Sequence, residues 1–351
     1  MAAPNVEIPL PATAPAAVLV EPGKVLIEDR PVPKPGPGQV LIEVAAVGVC
    51  GSDVHYFSEG RIGDFVVSAP LVLGHEAAGV VRALGPGATK LQPGQRVALE
   101  PGVPCRRCRD CRAGRYNLCP DVKFFATPPV DGAFARYVVH DEDYCYPVPD
   151  SLSDDAAALL EPLSVAVWAS WKARTRPGDK VLVTGAGPIG LLNAAVARAA
   201  GAAEVTVTDV VPGRLELAKK MGATTTLDAT DARRALEGLG ADALIECSGA
   251  PAALEAGLYG LRGGGRAVVV GMSAHANAAL PISYLQNREI ELTGTFRYAN
   301  TYPAALALAA SGAVRLDEIV SAHFGLGQVA EALQASRKDP LVVKPMVLPS
   351  R

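Results

Sequence analysis

The sequence predicts an α/β protein in which a doubly wound parallel sheet is joined to an irregular, β-rich portion. Three observations predict it. Between residues 180 and 295, β-branched runs alternate with helical patterns. Before residue 150, short strand patterns are punctuated by Gly and Pro. Linking the two styles, Val181-Leu-Val-Thr-Gly-Ala-Gly-Pro-Ile-Gly190 joins an apolar run to a small-residue helical pattern through a glycine-rich turn.

That turn is the most informative stretch. In a strand–turn–helix unit Gly185 makes the tight turn, Gly187 lets backbone approach a pyrophosphate, and Gly190 lets helix and strand pack. Pro188 and Ile189 complete the turn, and the helix start offers free N–H groups and the positive end of its dipole. A second strand pattern, Glu204–Thr208, ends in Asp209, nineteen residues past Gly190. A carboxylate there can accept both ribose hydroxyls and would repel a 2′-phosphate. The stretch reads as a dinucleotide site that prefers NAD over NADP.

From the N-terminus, residues 1–16 are Pro- and Ala-rich and read as a loose arm. Val18–Glu28 alternates as one strand, and Val40–Val49 is the next. Strand patterns follow at Gly79–Leu84, Arg96–Glu100, Ala133–Val139 and Tyr144–Val148. Ser151-Leu-Ser-Asp-Asp155 resembles a helix start ahead of an Ala-rich run. The parallel-sheet strands are expected at Val181–Thr184, Val205–Thr208, Thr224–Leu227, Ala243–Cys247, Arg266–Val270 and Glu289–Thr293. Helices are expected between them, as at Pro212–Met221 and Pro251–Leu258. Thr301–Ser311 and Leu326–Ala335 read as helices, and Leu341–Leu348 as a final strand.

The 351 residues suffice for about two domains. Charged residues are 20% and apolar ones 49%, as in a soluble globular protein. A net charge of −3 gives no global attraction to nucleic acid or an anionic membrane. The longest apolar stretch, Ala156–Trp171, is broken by Glu161 and Pro162 and is too short for a membrane span. No basic region precedes the first apolar residues, so the N-terminus does not read as a signal peptide.

Seven cysteines, four of them within fifteen residues, argue against a secreted disulfide framework and for metal in a reducing cytoplasm. Cys105-x-x-Cys108-x-x-Cys111, followed by Cys119, can close a tetrahedron around Zn²⁺ with no open position, the structural kind of site. An iron–sulfur cluster also uses four cysteines. Arg106, Arg107, Arg109, Arg112 and Arg115 share the loop. They read as a solvated, charge-balancing set more simply than as a nucleic-acid surface.

A second cluster is dispersed along the chain. Cys50 lies in Gly48-Val-Cys-Gly-Ser-Asp-Val-His55, His75 and Glu76 in Gly74-His-Glu-Ala-Ala-Gly79, and Glu161 heads Glu161-Pro-Leu-Ser-Val165. Thiol, imidazole and carboxylate suit a zinc that keeps a coordination position open. Each residue alone reads as an ordinary core or helix-start residue.

Together these motifs give a resemblance that spans nearly the whole chain. Gly74-His-Glu76 and Cys50-Gly-Ser-Asp53 resemble those of the zinc-dependent medium-chain dehydrogenases. Four further motifs resemble its polyol branch: Gly60-Arg-Ile-Gly-Asp-Phe65, Phe124-Phe-Ala-Thr-Pro-Pro129, Glu161-Pro-Leu-Ser164 and Phe296-Arg-Tyr298. The resemblance implies a GroES-like β-rich catalytic domain (1–163 and 298–351) carrying two zincs. A Rossmann NAD-binding domain (164–297) is implied between these segments, with the active site in the cleft. It implies that Cys50, His75 and Glu76 ligate the catalytic zinc, and that Glu161 either holds the water or substrate there or exchanges as a ligand. Which of the two glutamates is bound at rest stays open. Alcohol dehydrogenases of the family carry cysteine where Glu161 stands, and an oxygen-rich site suits a polyhydroxyl substrate better than a simple alcohol. Animal sorbitol dehydrogenases lack the four-cysteine loop, so the chain is similar to a microbial member that kept it.

The same resemblance implies a proton relay through Ser52 and His55, and substrate contacts from Tyr56, Phe125, Thr127, Arg297 and Tyr298. Cofactor contacts are implied for Ile189, Asp209 and Arg214, with Val270, Gly271, Met272, Phe296 and Arg297 flanking the nicotinamide half. Cys145 and Cys247 sit in strand patterns and read as structural. The expected activity is oxidation of a sugar alcohol to the ketose with NAD. The rival readings are another secondary-alcohol or threonine dehydrogenase, a silent NAD-binding relative, and a nucleic-acid-binding zinc protein. The family implies a homotetramer, with Glu289–Thr293 as a strand able to join subunits.

Overall fold

The computed structural model describes residues 10–273 and 277–351. Six parallel strands form one sheet in the order Thr225–Asp228, Glu204–Asp209, Lys180–Thr184, Ala241–Glu246, Leu261–Val269, Glu291–Gly294. The chain thus starts in the middle, winds outward to one edge and then to the other, which puts a topological switch point beside Lys180–Thr184. Both faces of this sheet are covered, and the alternation along each strand shows it. Val181 and Val183 enter one core with the helices Leu160–Ala173 and Pro188–Ala199. Leu182 enters another with Leu236, Leu244 and Leu258. Every one of these side chains is essentially fully buried, and each contributes on the order of 2 kcal/mol through loss of apolar surface.

A second, mixed sheet holds seven strands, six of them in the order Cys145–Pro147, Arg96–Leu99, Glu76–Leu84, Gln39–Gly48, Lys344–Leu348, Val320–Gly325. Tyr137–Asp141 also pairs with Gln39–Gly48. The C-terminal strands therefore complete a sheet begun near the N-terminus. One continuous core joins Ala46, Ala78, Ala98 and Met346 of this sheet to the helices and strands of the parallel one.

Several boundaries differ from the sequence pattern, each for a local reason. Val18–Glu28 is not one strand but a hairpin, Thr13–Glu21 with Lys24–Pro31, because Pro22-Gly23 turns the chain with Gly23 at φ +81°. The expected loose arm ends earlier than residue 16, since Thr13–Ala16 pair with Glu28–Pro31; residues 1–9 lie outside the described residues. Ala133–Arg136 is not ladder. Ala133 and Phe134 donate to Gly74 and Leu73 while Arg136 donates to Pro15, so regular pairing starts at Tyr137. The last helix runs Val329–Lys338 after a short 3₁₀ turn, and the final strand begins at Lys344.

One register feature positions the site. Glu76 and Gly48 are directly paired on adjacent antiparallel strands, and Met346 pairs with Gly48 from the other side. Glu76 and Lys344 can therefore meet across Gly48 only if Gly48 has no side chain: a methyl there would sit 2.0 Å from Glu76 Oε2. Lys344 Nζ bonds both Glu76 oxygens, at 2.9 and 2.8 Å, and the Val49 carbonyl at 2.9 Å. Both residues are buried. Burial opposes the lysine's charge, but the Glu76 and Cys50 side chains outweigh it and raise its pKa.

Replacing Lys344 by Met should leave a buried carboxylate without its cation and cost roughly 3–5 kcal/mol. Urea unfolding of chelator-treated protein reads this directly, and adding Glu76→Gln to Lys344→Met should recover part of the loss. A second expectation concerns acid. His140 is buried with Nε2 bonded to the Glu100 carbonyl at 2.8 Å, and burial lowers its pKa from 6.5 to about 4. Between those values the unfolded chain binds the proton and the folded one does not. Its stabilisation is therefore complete above about pH 6.5 and declines by roughly 3 kcal/mol as pH falls through 4. His140→Gln should flatten the acid limb of a stability–pH curve, and an unchanged slope would contradict the assignment.

Candidate active site and metal centres

Cys50 follows the strand Gln39–Gly48 and caps the helix Gly51–Glu59. Asp53, one turn into that helix and fully buried, accepts from the Cys50 N–H at 3.0 Å and from the Gly74 N–H at 2.9 Å. Its Oδ1 also lies 3.7 Å from His75 Nδ1. One carboxylate thus locks the two segments that present Cys50 and His75. Burial works against a charged His75, yet Asp53 and Cys50 prevail and hold its pKa well above the ordinary value. The ligand atoms of Cys50, His75 and Glu76 all lie within 4.8 Å of one another.

Glu161 stands outside that trio, in the first turn of Leu160–Ala173. Burial, then the neighbouring Glu76, raises its carboxyl to about 7, against the opposite pull of His75, the Tyr298 hydroxyl and Lys344. Tyr298, itself buried, donates to Glu161 Oε1 at 2.9 Å. The S, N and O donors of Cys50, His75 and Glu76, gathered in a buried cluster, fit a divalent cation of zinc type.

Next to these acids lies a wall of polar side chains. Arg297 is partly buried, and burial lowers its pKa to about 10. Its guanidinium reaches Thr127 Oγ1 at 3.4 Å and stacks over Phe124 and Phe296, at 4.0 and 4.8 Å from the ring centroids. Tyr56 is buried beside Thr127. Phe125, expected near substrate, packs its ring on His140, 4.7 Å away, within the core of the mixed sheet. Phe124 is the residue facing His75, at 5.7 Å, and Arg297. Phe124 ends the strand Lys123–Phe124 and Phe125 opens the turn after it, so which ring faces the site takes the fold to see. Ser52 and His55 do share a helix, with His55 Nδ1 3.4 Å from Glu59 Oε1.

Cys105, Cys108, Cys111 and Cys119 also bring their sulfurs within 4.8 Å, and none is in a disulfide. Backbone N–H groups of Cys105, Cys108 and Cys111 each donate to a cysteine sulfur at 3.4 Å. Such bonds, from Arg107 and Cys108, lower Cys105 to about 7, whereas burial and the neighbouring thiols push Cys111 up to about 12. Four thiolates so crowded need a cation, which is the fit expected of a closed zinc site. Of the loop arginines, Arg106 pairs with Asp141 and Asp143, and Arg109 and Arg115 with Asp110. Acids of the chain itself thus answer those three.

The glycine-rich turn has the expected shape. Gly185 holds φ +89°, and a Cβ on Gly190 would lie 1.7 Å from the Gly185 carbonyl oxygen. Gly187 caps Pro188–Ala199, with Pro188 in the first helical position. A Cβ on Gly187 would meet nothing within 4 Å, so space remains above the helix start for a phosphate. Asp209 accepts from Ala186 N at 2.7 Å and from Val211 N at 2.8 Å, which fixes its carboxylate at the strand end beside the turn. Arg214 directs its Nε to the Pro340 carbonyl at 2.7 Å. Val270 and Gly271 both donate to the Glu246 carbonyl, and Met272 and Phe296 are exposed on that side. Sequence reasoning missed Glu246, whose buried carboxylate accepts from Ser248 N at 2.7 Å and Gly249 N at 3.0 Å and so shapes this rim. It also missed Lys344, although a lysine inside an apolar strand was a visible signal.

Residues 36–150 match the alcohol dehydrogenase GroES-like domain, and residues 188–311 the zinc-binding dehydrogenase domain. Sorbitol dehydrogenase of Bacillus subtilis is 43% identical over 350 residues, 97% of this chain and 99% of that protein. Among solved structures, L-idonate 5-dehydrogenase of Escherichia coli superposes with a TM-score of 0.89 at 32% identity, covering 96% of this chain and 98% of that one. A zinc-binding dehydrogenase of Sinorhizobium meliloti, solved with NADP, gives 0.87 at 29% identity, covering 97% and 100%. With a GroES-like portion, a Rossmann sheet and these relatives, the chain belongs to the zinc-dependent medium-chain dehydrogenases, in their polyol dehydrogenase branch.

Proposed function

We propose that this protein oxidises a secondary hydroxyl of a sugar alcohol, of the sorbitol or xylitol type, to the ketose, using NAD and zinc. The observation that carries the reading is the wall of Glu161, Tyr298, Arg297, Thr127 and Tyr56 beside the Cys50–His75–Glu76 trio. A chain of donors and acceptors of this kind matches a substrate with several adjacent hydroxyls, since each charged group can engage two of them. A simple alcohol would leave most of these buried groups without partners, which is costly.

Cys50, His75 and Glu76 would hold the catalytic zinc, which supplies Lewis acidity that lowers the pKa of a substrate hydroxyl; NAD supplies the hydride acceptor. Asp53 fixes the orientation of His75. Glu161, steadied by Tyr298, accepts hydrogen bonds from substrate hydroxyls. Ser52 and His55 would carry the released proton toward solvent past Glu59. Arg297 and Thr127 orient the far end of the polyol, and Phe124 excludes water beside His75. Cys105, Cys108, Cys111 and Cys119 would hold a second, structural zinc, whose place is supported by the converging thiols.

Asp209 supports NAD over NADP, because a fixed carboxylate repels a 2′-phosphate. The catalytic domain would comprise 1–163 and 298–351, and the NAD domain 164–297. Glu291–Gly294 is an edge strand with Leu292 partly exposed, which supports self-association through that edge into a homotetramer. Seven free cysteines support a reducing, cytoplasmic setting; no helix among the described residues is long and apolar enough to cross a membrane.

Initial rates with the zinc-replete protein should be high on sorbitol and xylitol with NAD, near zero on ethanol, and roughly 100-fold lower in kcat/KM with NADP. No turnover of any polyol, with NAD binding demonstrated, would overturn the substrate reading. Preference for NADP would overturn the role of Asp209.

A further inference from the structure

Arg297 and Tyr298 lie on the short segment that leaves the parallel sheet after Glu291–Gly294 and enters the helix Tyr302–Ala310. Two residues of that segment hold left-handed backbone without being glycine: Arg297 at φ +52° and Asn300 at φ +61°. Each such residue costs about 1 kcal/mol or more and persists only where its surroundings over-determine it. What surrounds it is the four-cysteine loop. Asn117 Nδ2 donates to the Phe296 carbonyl at 2.8 Å, the Asn300 N–H donates to the Tyr116 hydroxyl at 2.8 Å, and Asn300 Nδ2 donates to the Gly114 carbonyl at 2.8 Å. Tyr116, Asn117 and Gly114 all fall between Cys111 and Cys119.

The anchoring continues inward. The Tyr116 hydroxyl donates to Glu100 Oε1 at 2.6 Å, and Tyr146 donates to Glu100 Oε2 at 2.8 Å. Glu100 is buried at the end of the strand Arg96–Leu99. Because the hydroxyl's one proton goes to Glu100, its lone pair is left to accept from Asn300, and the two bonds polarise each other. The loop has little regular structure of its own, one four-residue helix and a 3₁₀ turn, so closure by its cysteines sets where these groups stand.

We propose that the four-cysteine loop is a clamp that positions Arg297 and Tyr298 for the polyol, with Tyr116, Asn117 and Asn300 as its positioning residues. The proposal rests on the reading that Arg297 and Tyr298 meet substrate. It assigns the loop a part in substrate affinity, in addition to stability.

The test combines steady-state kinetics on sorbitol with hydrogen exchange of the peptide spanning 296–301, for Tyr116→Phe, Asn117→Ala, Asn300→Ala and Asn300→Gly. The first three variants should raise the KM for sorbitol about 5–20-fold, as loss of one anchoring hydrogen bond allows. They should change kcat and the KM for NAD no more than about 3-fold, and exchange in 296–301 should accelerate. Asn300→Gly, which tolerates the left-handed backbone and keeps its N–H, should lie closer to the parent than Asn300→Ala. An unchanged sorbitol KM with unchanged exchange overturns the clamp, as does a uniform fall in activity that tracks only a lowered Tm. If the parent turns over no polyol, the functional reading fails instead, and the exchange data still decide whether the loop holds the segment.

Discussion

The structure depends first on how it pairs Glu76 in a dry interior. A carboxylate taken out of water is stable only when paired and hydrogen-bonded. Here the pairing is built into strand register: Glu76 and Lys344 flank the central strand and meet over Gly48, where no side chain could fit. The lysine comes from the last strand of the chain and the glutamate from residue 76, so the site forms only when the mixed sheet is complete. Asp53 does the complementary work for Cys50 and His75, tying a helix start to a strand start through two backbone N–H groups.

Around that charge pair the two sheets share their working parts. Glu161 opens the helix Leu160–Ala173 that packs between them, and Tyr298 reaches it from the segment returning from the parallel sheet. Tyr302, four residues on, donates its hydroxyl to the Leu99 carbonyl of the mixed sheet and stacks on Tyr146. Ordered aromatic and hydroxyl contacts of this kind hold the groups around the trio within the tolerance that catalysis demands. Most buried polar side chains are partnered, although the Ser164 and Thr301 hydroxyls are not.

Legibility followed the range of the interactions. The glycine-rich turn, Asp209 and the alternation of strands with helices were open to reading because turn geometry and helix starts are local chemistry. The four cysteines were equally plain, since their spacing alone closes a ring. Cys50, His75, Glu76 and Glu161 could be grouped only through resemblance, being spread over more than a hundred residues. Lys344 went unnoticed because its partner lies 268 positions away, and Phe124, which faces His75 and Arg297, was not singled out because side-chain direction follows from the packed backbone. The hairpin at Pro22-Gly23 was legible in principle, since Glu21-Pro-Gly-Lys24 separates two short apolar runs.

The claim on which most rests is that Cys50, His75 and Glu76 form a metal centre distinct from the cysteine loop. Anomalous diffraction at the zinc edge from crystals of the zinc-replete protein tests it most directly. The account predicts two peaks per chain, one among the sulfurs of Cys105, Cys108, Cys111 and Cys119, and one bounded by Cys50, His75 and Glu76. A peak at the loop alone, with the Cys50 trio closed on itself in fully metal-loaded protein, would contradict it.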